Sequence, residues 1–442
     1  MSVAVAPWVR RFVALAVVCP FVAAALVFTA SFVPDRLILG ELSGAANRIE
    51  MTANFQVGIS GRPLDTFSDC IALTMGLGDT EGGPATIWVR SPTLGSCNGA
   101  IASVQSHAAG EGLQGGYEYY RYWHGYTFMS RPLVATVGVS GQRMVLLWAV
   151  IGAVALLGRR LWHQHGALAS VALLGPFLLT TDTIELTRSI PHGTPALVAV
   201  AGAWWLHRLS GSIESAESVG EPGLKESRSS AGRSNLAVAS GAFVVGSAYV
   251  FVDLLTTPPG AWALSTGVVA LSSAGFLHGR ALLLRTVLAS AAWIAGWVWT
   301  WVAKWAIAML VLGYSEVRAN VGGAVEDRVA GERDYIDLSW FNSIDLNIER
   351  WMSHPLTPPV LIAIVVVSAL VARRQEFAST WATRLLIASP AVLPLIWFEV
   401  MRNHSLVHAF VFRSLGVTAG LVAVALIVPS SAIARGSSSD VD

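Results

Sequence analysis

Ten apolar stretches divide this chain, and they constrain its fold more than any other feature. They fall at roughly 11–33, 143–158, 167–182, 193–207, 236–256, 261–277, 283–312, 359–372, 384–400 and 409–428. A helix needs about 20 mostly apolar residues to cross a bilayer core about 30 Å thick, because it rises about 1.5 Å per residue. Several stretches are short and broken by Gly or Pro, which sets their ends only to within a few residues. The stretch 283–312 is long enough to span at a tilt and continue past the headgroups. Of the 442 residues 54% are hydrophobic and 13% charged, too little charge to cover a soluble surface. The sequence predicts an all-α integral membrane protein with about ten transmembrane helices and a large extracytoplasmic first loop.

Orientation follows from the short loops. Arg10 and Arg11, Arg159 and Arg160, Arg208 with Lys225, Arg228 and Arg233, Arg280, and Arg373 with Arg374 fall on one side if the spans alternate. The short loops of the other side carry Arg188 and Arg402, with Arg413 just inside a span. The positive-inside rule then predicts a multi-pass protein of the inner (plasma) membrane, with both termini cytoplasmic. The long loops, about 34–142 and 313–358, lie outside. The first stretch follows two arginines as a signal peptide would, but its length and the lack of a clean cleavage site favour a retained anchor.

The linker at 210–235, rich in Ser, Glu, Gly, Lys and Arg, reads as disordered and cytoplasmic. It separates an N-terminal module (1–209, four spans) from a C-terminal one (236–429, six spans), and the polar tail 430–442 also reads as disordered. A net charge of +1 removes a nucleic-acid partner argued from basicity, and three cysteines exclude a disulfide-rich or multi-Cys zinc module. Cys70 and Cys97 fall in the first outer loop, where a disulfide would persist, whereas Cys19 lies inside the first span.

Polar groups near span ends are the functional candidates, because polar side chains at membrane depth are costly. Glu118–Arg131 reads EYYRYWHGYTFMSR and sets Arg121, His124 and Arg131 among aromatic rings that include Trp123 and Tyr126. An interfacial aromatic belt would use the same rings. Rings that stack on a sugar, with Arg to hold an anionic headgroup, would also need the interleaved His and Arg. Asp182, Glu185, Arg188 and His192 close the third span and suit acceptor-orienting acid/base groups, a divalent-cation site or an ion-pair network. Asn403, His404, His408 and Arg413 form a third cluster. Its HxxxH spacing lacks the Glu of a zinc protease and fits a phosphate site or structural histidines. Lys304 lies deep in a Trp-rich span, where Asp253 or another outer carboxylate is its natural partner. In the first outer loop, Asp35, Glu50, Asp65, Asp69 and Asp79 are acids, and Ile38–Gln56 alternates with a helical spacing suited to a helix lying on the membrane.

Short islands of the sequence resemble a family of poorly characterised bacterial polytopic membrane proteins. They are Arg121-Tyr122-Trp123-His124-Gly125-Tyr126 with Arg131-Pro132-Leu133, Asp253 through Pro258, Trp297 with Lys304-Trp305, and Asn403-His404-Ser405 with His408. That family is similar in architecture to GT-C glycosyltransferases, which take sugars from polyprenyl-phosphate donors at the outer membrane face. The resemblance implies a catalytic acid in the first outer loop just after the first span, a surface-lying helix, and outer basic groups for the donor phosphate. No Asp-Asp or Asp-Glu pair follows the first span directly. Asp69 is the first choice for the base, with Asp35 and Glu50 behind it. Arg121, Trp123, His124, Tyr126, Arg131, Asn403, His404, His408, Arg413 and Lys304 are the donor-binding candidates.

The reaction expected is transfer of a sugar to a cell-envelope glycan, lipid or protein acceptor. The Ala- and Val-rich composition suggests an arabinofuranosyl donor by association. No Walker A or GxGxxG motif is present. A transporter or flippase of an envelope precursor is the alternative, although such proteins place charges near the midplane of two similar halves. An envelope scaffold would need no convergence of acids and bases.

Overall fold

The computed structural model describes residues 7–47, 55–57, 63–78, 84–186, 189–217, 227–330, 338–373, 380–408 and 410–428. The chain opens with α1 (Pro7–Ala30) and α2 (Asp35–Asn47), then a two-stranded antiparallel hairpin, β1 (Phe55–Val57) on β2 (Pro63–Asp65). Next come α3 (Thr66–Leu73), α4 (Pro84–Arg90) and α5 (Cys97–Ala108). A second small antiparallel pair joins β3 (Pro92–Thr93) to β4 (Tyr117–Glu118). The bundle continues with α6 (Thr127–His165), α7 (Ala167–Thr180), the single turn α8 (Thr183–Leu186), α9 (Ile190–Glu217), α10 (Ser227–Val252), α11 (Pro258–Ser273) and α12 (Gly279–Leu312). It closes with α13 (Tyr314–Ala330), α14 (Asn342–Met352), α15 (Thr357–Ala372), α16 (Trp381–Ala388), α17 (Leu393–Val400), α18 (Arg402–Val407) and α19 (Ser414–Ile427).

The architecture is that of an all-α membrane protein, but fewer helices are long enough to span than the apolar stretches suggest. Five among the described residues pass on length and composition: Trp8–Ala30, Thr127–His165, Ser234–Val252, Gly279–Leu312 and Trp381–Val400. A sixth is reached if α14 and α15, bent by 93°, count as one broken span. The stretches at 167–182 and 261–277 become helices of 14 and 16 residues. At about 1.5 Å per residue these are shorter than a bilayer core. Pro176 inside α7, and Pro258 and Pro259 at the start of α11, mark those interruptions.

Other boundaries shift too. The first loop ends sixteen residues early, since α6 begins at Thr127 rather than near 143, and α13 and α14 occupy much of 313–358. The surface helix expected over Ile38–Gln56 is α2, which stops at Asn47. Its buried Ile38, Leu39, Leu42 and Ala45 repeat with helical spacing, and the helix packs on α5 and α6. The linker is shorter than 210–235, because α9 and α10 extend into it from both sides. The remainder of that linker, Glu50, Arg188 and the tail lie outside the described residues.

Close helix crossings hold the bundle together. A Cβ on Gly246 of α10 would sit 2.0 Å from the Trp293 carbonyl oxygen, and one on Gly296 of α12 would sit 2.1 Å from that of Phe243. The two backbones therefore touch in both directions, which is how helices pack where lipid supplies no hydrophobic drive. The elements between α1 and α6 form a cap on one face of this bundle, called here the loop face. The cap meets the end of α10 at Gly125 and Phe251, the start of α9 at Asp69 and Ile190, and α12 at Val89 and Lys304. Cys70 and Cys97 are disulfide-bonded within the cap and tie α3 to α5.

Candidate functional site

The cap and the bundle line an open cavity of about 290 Å³ at the end of α1. Its lining includes Ala30, Val33, Asp35, Met75, Gly76, Trp88, His124 and Arg131. Asp35 opens α2, and its side chain is 55% exposed, whereas that of Arg131 is 7% exposed. Arg131 Nη2 donates to the Asp35 carboxylate. The same guanidinium donates from Nε to the Ala30 carbonyl (3.1 Å), from Nη1 to Met75 (3.0 Å) and from Nη2 to Val33 (2.9 Å). It thus ties the Ala30 and Val33 carbonyls at the C-terminal end of α1, where a cation is favoured by the helix dipole, to the Met75 carbonyl just past α3. Gly76 has φ +89°, and a Cβ there would lie 2.6 Å from Arg131 Nη1, so only glycine lets the guanidinium approach this strand of backbone.

His124 stands on the opposite wall with φ +57°. Its Nε2 faces the Tyr119 carbonyl at 2.6 Å, which can only accept, so Nε2 carries the proton. Nδ1 then accepts from the Tyr126 hydroxyl at 2.8 Å. Burial pulls its pKa down to about 3; the Tyr119 carbonyl opposes this, and the Lys304 and Arg121 charges reinforce it. His124 is therefore a neutral brace. It does not supply the positive charge expected of a donor-phosphate ligand.

The aromatic rings of this segment mostly serve as bolts. Trp123 and Tyr126 are fully buried. Trp123 Nε1 donates to the Thr300 carbonyl (2.6 Å), while Trp301 and Trp305 donate to that of Arg121 (2.8 and 3.0 Å). The loop is thereby fastened to α12, which leaves Trp123 and Tyr126 no face for a sugar. The Arg121 guanidinium lies over the Tyr119 ring at 4.8 Å, and Tyr119 itself is half-buried. Lys304 does not pair with Asp253. Its Nζ donates to the carbonyls of Trp88 (3.3 Å) and Val89 (3.1 Å) at the end of α4 and sits near the Trp88 and Trp123 rings. The Asp253 carboxylate accepts instead from the Thr256 amide (2.9 Å) and hydroxyl (2.6 Å). Burial raises its pKa to about 7 against those hydrogen bonds.

Asp69, the expected base, is 1% exposed. One carboxylate oxygen is 2.5 Å from Arg143 Nη2 and the other accepts the Ile190 amide at 2.7 Å. Both oxygens are spent on holding α3 against α6 and the start of α9. Asp65 caps α3 through the Ser68 amide (3.0 Å) and meets His192 Nε2 at 2.9 Å. Burial alone would raise the Asp65 pKa, but the bond and charge of His192 and the Ser68 contacts outweigh it and bring it to about 2.

The second cluster separates. Asp182, with φ +55°, meets His354 Nε2 at 3.0 Å, while His192 belongs to Asp65 and Glu185 is buried one turn on. In the third cluster, Asn403 and His404 are buried, and His404 Nε2 faces the Leu255 carbonyl at 2.8 Å. The His404 and His408 rings are 4.4 Å apart, so the pair predicted from spacing does meet. Burial, then the His408 charge, hold His404 well below the ordinary imidazole range. Arg413 lines a small, mostly apolar cavity with His192. No group of three or more His, Cys, Asp or Glu that could hold a metal ion occurs among the described residues.

Sequence reasoning missed the partners. Arg143, His354 and Trp88 carry no local motif, and only the fold reveals what they hold. No protein-family model, curated protein or solved structure matches this chain.

Proposed function

We propose that the chain is a membrane glycosyltransferase whose acceptor hydroxyl enters the cavity beside Asp35. One observation carries this reading: a half-exposed carboxylate at the end of the first membrane helix, held by Arg131 at the mouth of a cavity. Asp69 was the better candidate from sequence, but both its oxygens are engaged within the fold. Asp35 therefore takes the role of base in this proposal.

The proposed reaction moves a sugar from a polyprenyl-phosphate donor to an envelope glycan, lipid or protein acceptor. The acceptor oxygen forms the new bond to the anomeric carbon while the bond from that carbon to the phosphate oxygen breaks. Asp35 takes the acceptor proton, and polyprenyl phosphate leaves. Among the cations beside the cavity, Arg131 is committed to four oxygens and His124 is neutral. Such a cavity favours an uncharged hydroxyl over a phosphate. Arg121, stacked on Tyr119 and outside the cavity lining, is assigned to the donor phosphate in this reading.

The test is release of free polyprenyl phosphate by protein purified in detergent, across a panel of polyprenyl-phosphate sugars that includes the arabinofuranosyl one. Release that Asp35→Asn abolishes and Asp69→Asn keeps in whatever fraction folds supports the assignment. Absence of release from every donor, with crude envelope supplied as acceptor, would favour transport of an envelope precursor instead.

A further inference from the structure

Helix α15 has the sequence TPPVLIAIVVVSALVA, without a charged residue, and Thr357 alone of it is buried. Ile362 and Val365 are 64% and 67% exposed. A helix so apolar over its whole circumference belongs in lipid. Helix α14 meets it at 93°. With α15 inserted in the bilayer along its normal, α14 at 93° to it runs nearly parallel to the membrane plane.

The faces of α14 differ sharply. Ser343, Asn347 and Trp351 are buried, four residues apart on one side. Phe341 (63% exposed), Ile348 (40%) and Met352 (39%) lie on another, with Trp340 (72%) and Leu356 (45%) at the two ends. Asp345 and Glu349 border that apolar stripe and are exposed, which opposes immersion in the hydrocarbon. An apolar stripe edged by acids, continuous with a lipid-facing helix at a right angle, fits the boundary between headgroups and acyl chains. We infer that α14 is an in-plane membrane helix whose Phe341, Ile348 and Met352 face contacts the bilayer surface.

The buried face gives this contact a consequence. Ser343 Oγ donates to the Phe398 carbonyl (2.9 Å), Asn347 Nδ2 to that of Ser405 (2.9 Å) and Arg350 Nη2 to that of Leu406 (2.8 Å). Trp351 Nε1 donates to Thr180 Oγ1 at 2.9 Å. The helix therefore fixes the backbone on both sides of His404 to a plane set by the lipid. This inference stands apart from the transferase reading.

Site-directed spin labelling tests it. Single cysteines replace Asp345, Ile348, Glu349 and Met352 in a Cys19→Ser background that keeps the Cys70–Cys97 disulfide, and the full chain is placed in liposomes. Labels at Ile348→Cys and Met352→Cys should relax several-fold more with oxygen than with a water-soluble nickel chelate, and the label at Glu349→Cys the reverse. Equal nickel access at all four positions would overturn the inference by placing the face in water. Dipolar broadening that disappears on dilution with unlabelled chain would also overturn it, by showing a second copy on that face. All four sites are exposed, so the labels leave the fold intact, and retained circular dichroism confirms this for each variant.

Discussion

Asp35 and Arg131 form an ion pair that joins the first turn of α2 to the start of α6, and the two ends are buried very unequally. The arginine is enclosed and anchored on three backbone carbonyls, while the aspartate lines the cavity and is more than half exposed. One partner is structural and the other is reachable.

This inequality makes the two substitutions diverge. Asp35→Asn keeps an acceptor for Arg131 and should leave thermal unfolding nearly unchanged, yet lower polyprenyl-phosphate release by about 10²-fold or more, the usual range for loss of a general base. Arg131→Ala strips partners from the carbonyls of Ala30, Val33 and Met75 and should destabilise the cap by about 2–4 kcal/mol. Melting curves and single-turnover release on the same preparations separate the two effects.

Gly76 tests the same anchor from the other side. Gly76→Ala places a methyl 2.6 Å from Arg131 Nη1 at φ +89°, so it should destabilise through both the clash and the backbone strain. In an Arg131→Ala background the clash vanishes and only the strain, about 1 kcal/mol, should remain. Additive costs in the double-mutant cycle would refute the contact.

Acid should loosen the cap through Asp65. Its pKa falls from 3.8 to about 2 on folding, so its stabilisation is complete above pH 4 and is lost as pH drops towards 2. The loss is on the order of 2 kcal/mol. Melting followed from pH 5 to pH 2 should show a steeper decline for wild type than for Asp65→Asn, which has no carboxylate to protonate.

Reduction should act on the same region. The disulfide closes a segment with a sequence separation of 27, which in the chain-entropy account stabilises by about 3–4 kcal/mol. Cys70 and Cys97 are 2% and 0% exposed, so reductant should act only as the cap opens. Cys70→Ser with Cys97→Ser should lower the melting temperature of the cap with no added effect of reductant.

Much of this fold was legible in the chain, and the reasons it was not legible elsewhere are physical. Long apolar runs such as 283–312 announce a spanning helix because nothing in them breaks the pattern. The run 167–182 also looks like a span, but Pro176 and the Thr180–Asp182 turn leave a 14-residue helix. The disulfide could be anticipated from two cysteines in one loop. The HxxxH spacing brought His404 and His408 together because it is local. Asp69 misled because its partners, Arg143 and the Ile190 amide, are 74 and 121 residues away. Spacing carries no information about such partners, and an acid that holds the fold looks in sequence like one that does chemistry. Burial reverses the sequence order of Asp69 over Asp35, because Asp69 is 1% exposed and the Asp35 side chain 55%.

Lys304 gives the sharpest test between catalysis and transport. A transporter would use a buried lysine near the membrane midplane to carry or release charge. Here Nζ instead holds the last carbonyls of α4, those of Trp88 and Val89, and Trp88 lines the cavity. The ammonium acts as a C-terminal helix cap reached from the neighbouring span. Lys304→Met retains most of the side-chain volume and removes the charge, so it should destabilise the cap by about 1–3 kcal/mol, chiefly at the Val89 carbonyl, since that of Trp88 still accepts from Ser91 Oγ. At temperatures where the variant remains folded, turnover should fall no more than a few-fold. Loss of all function in a stably folded Lys304→Met protein, with Asp35→Asn still active, would reverse the assignment and make the lysine the functional group.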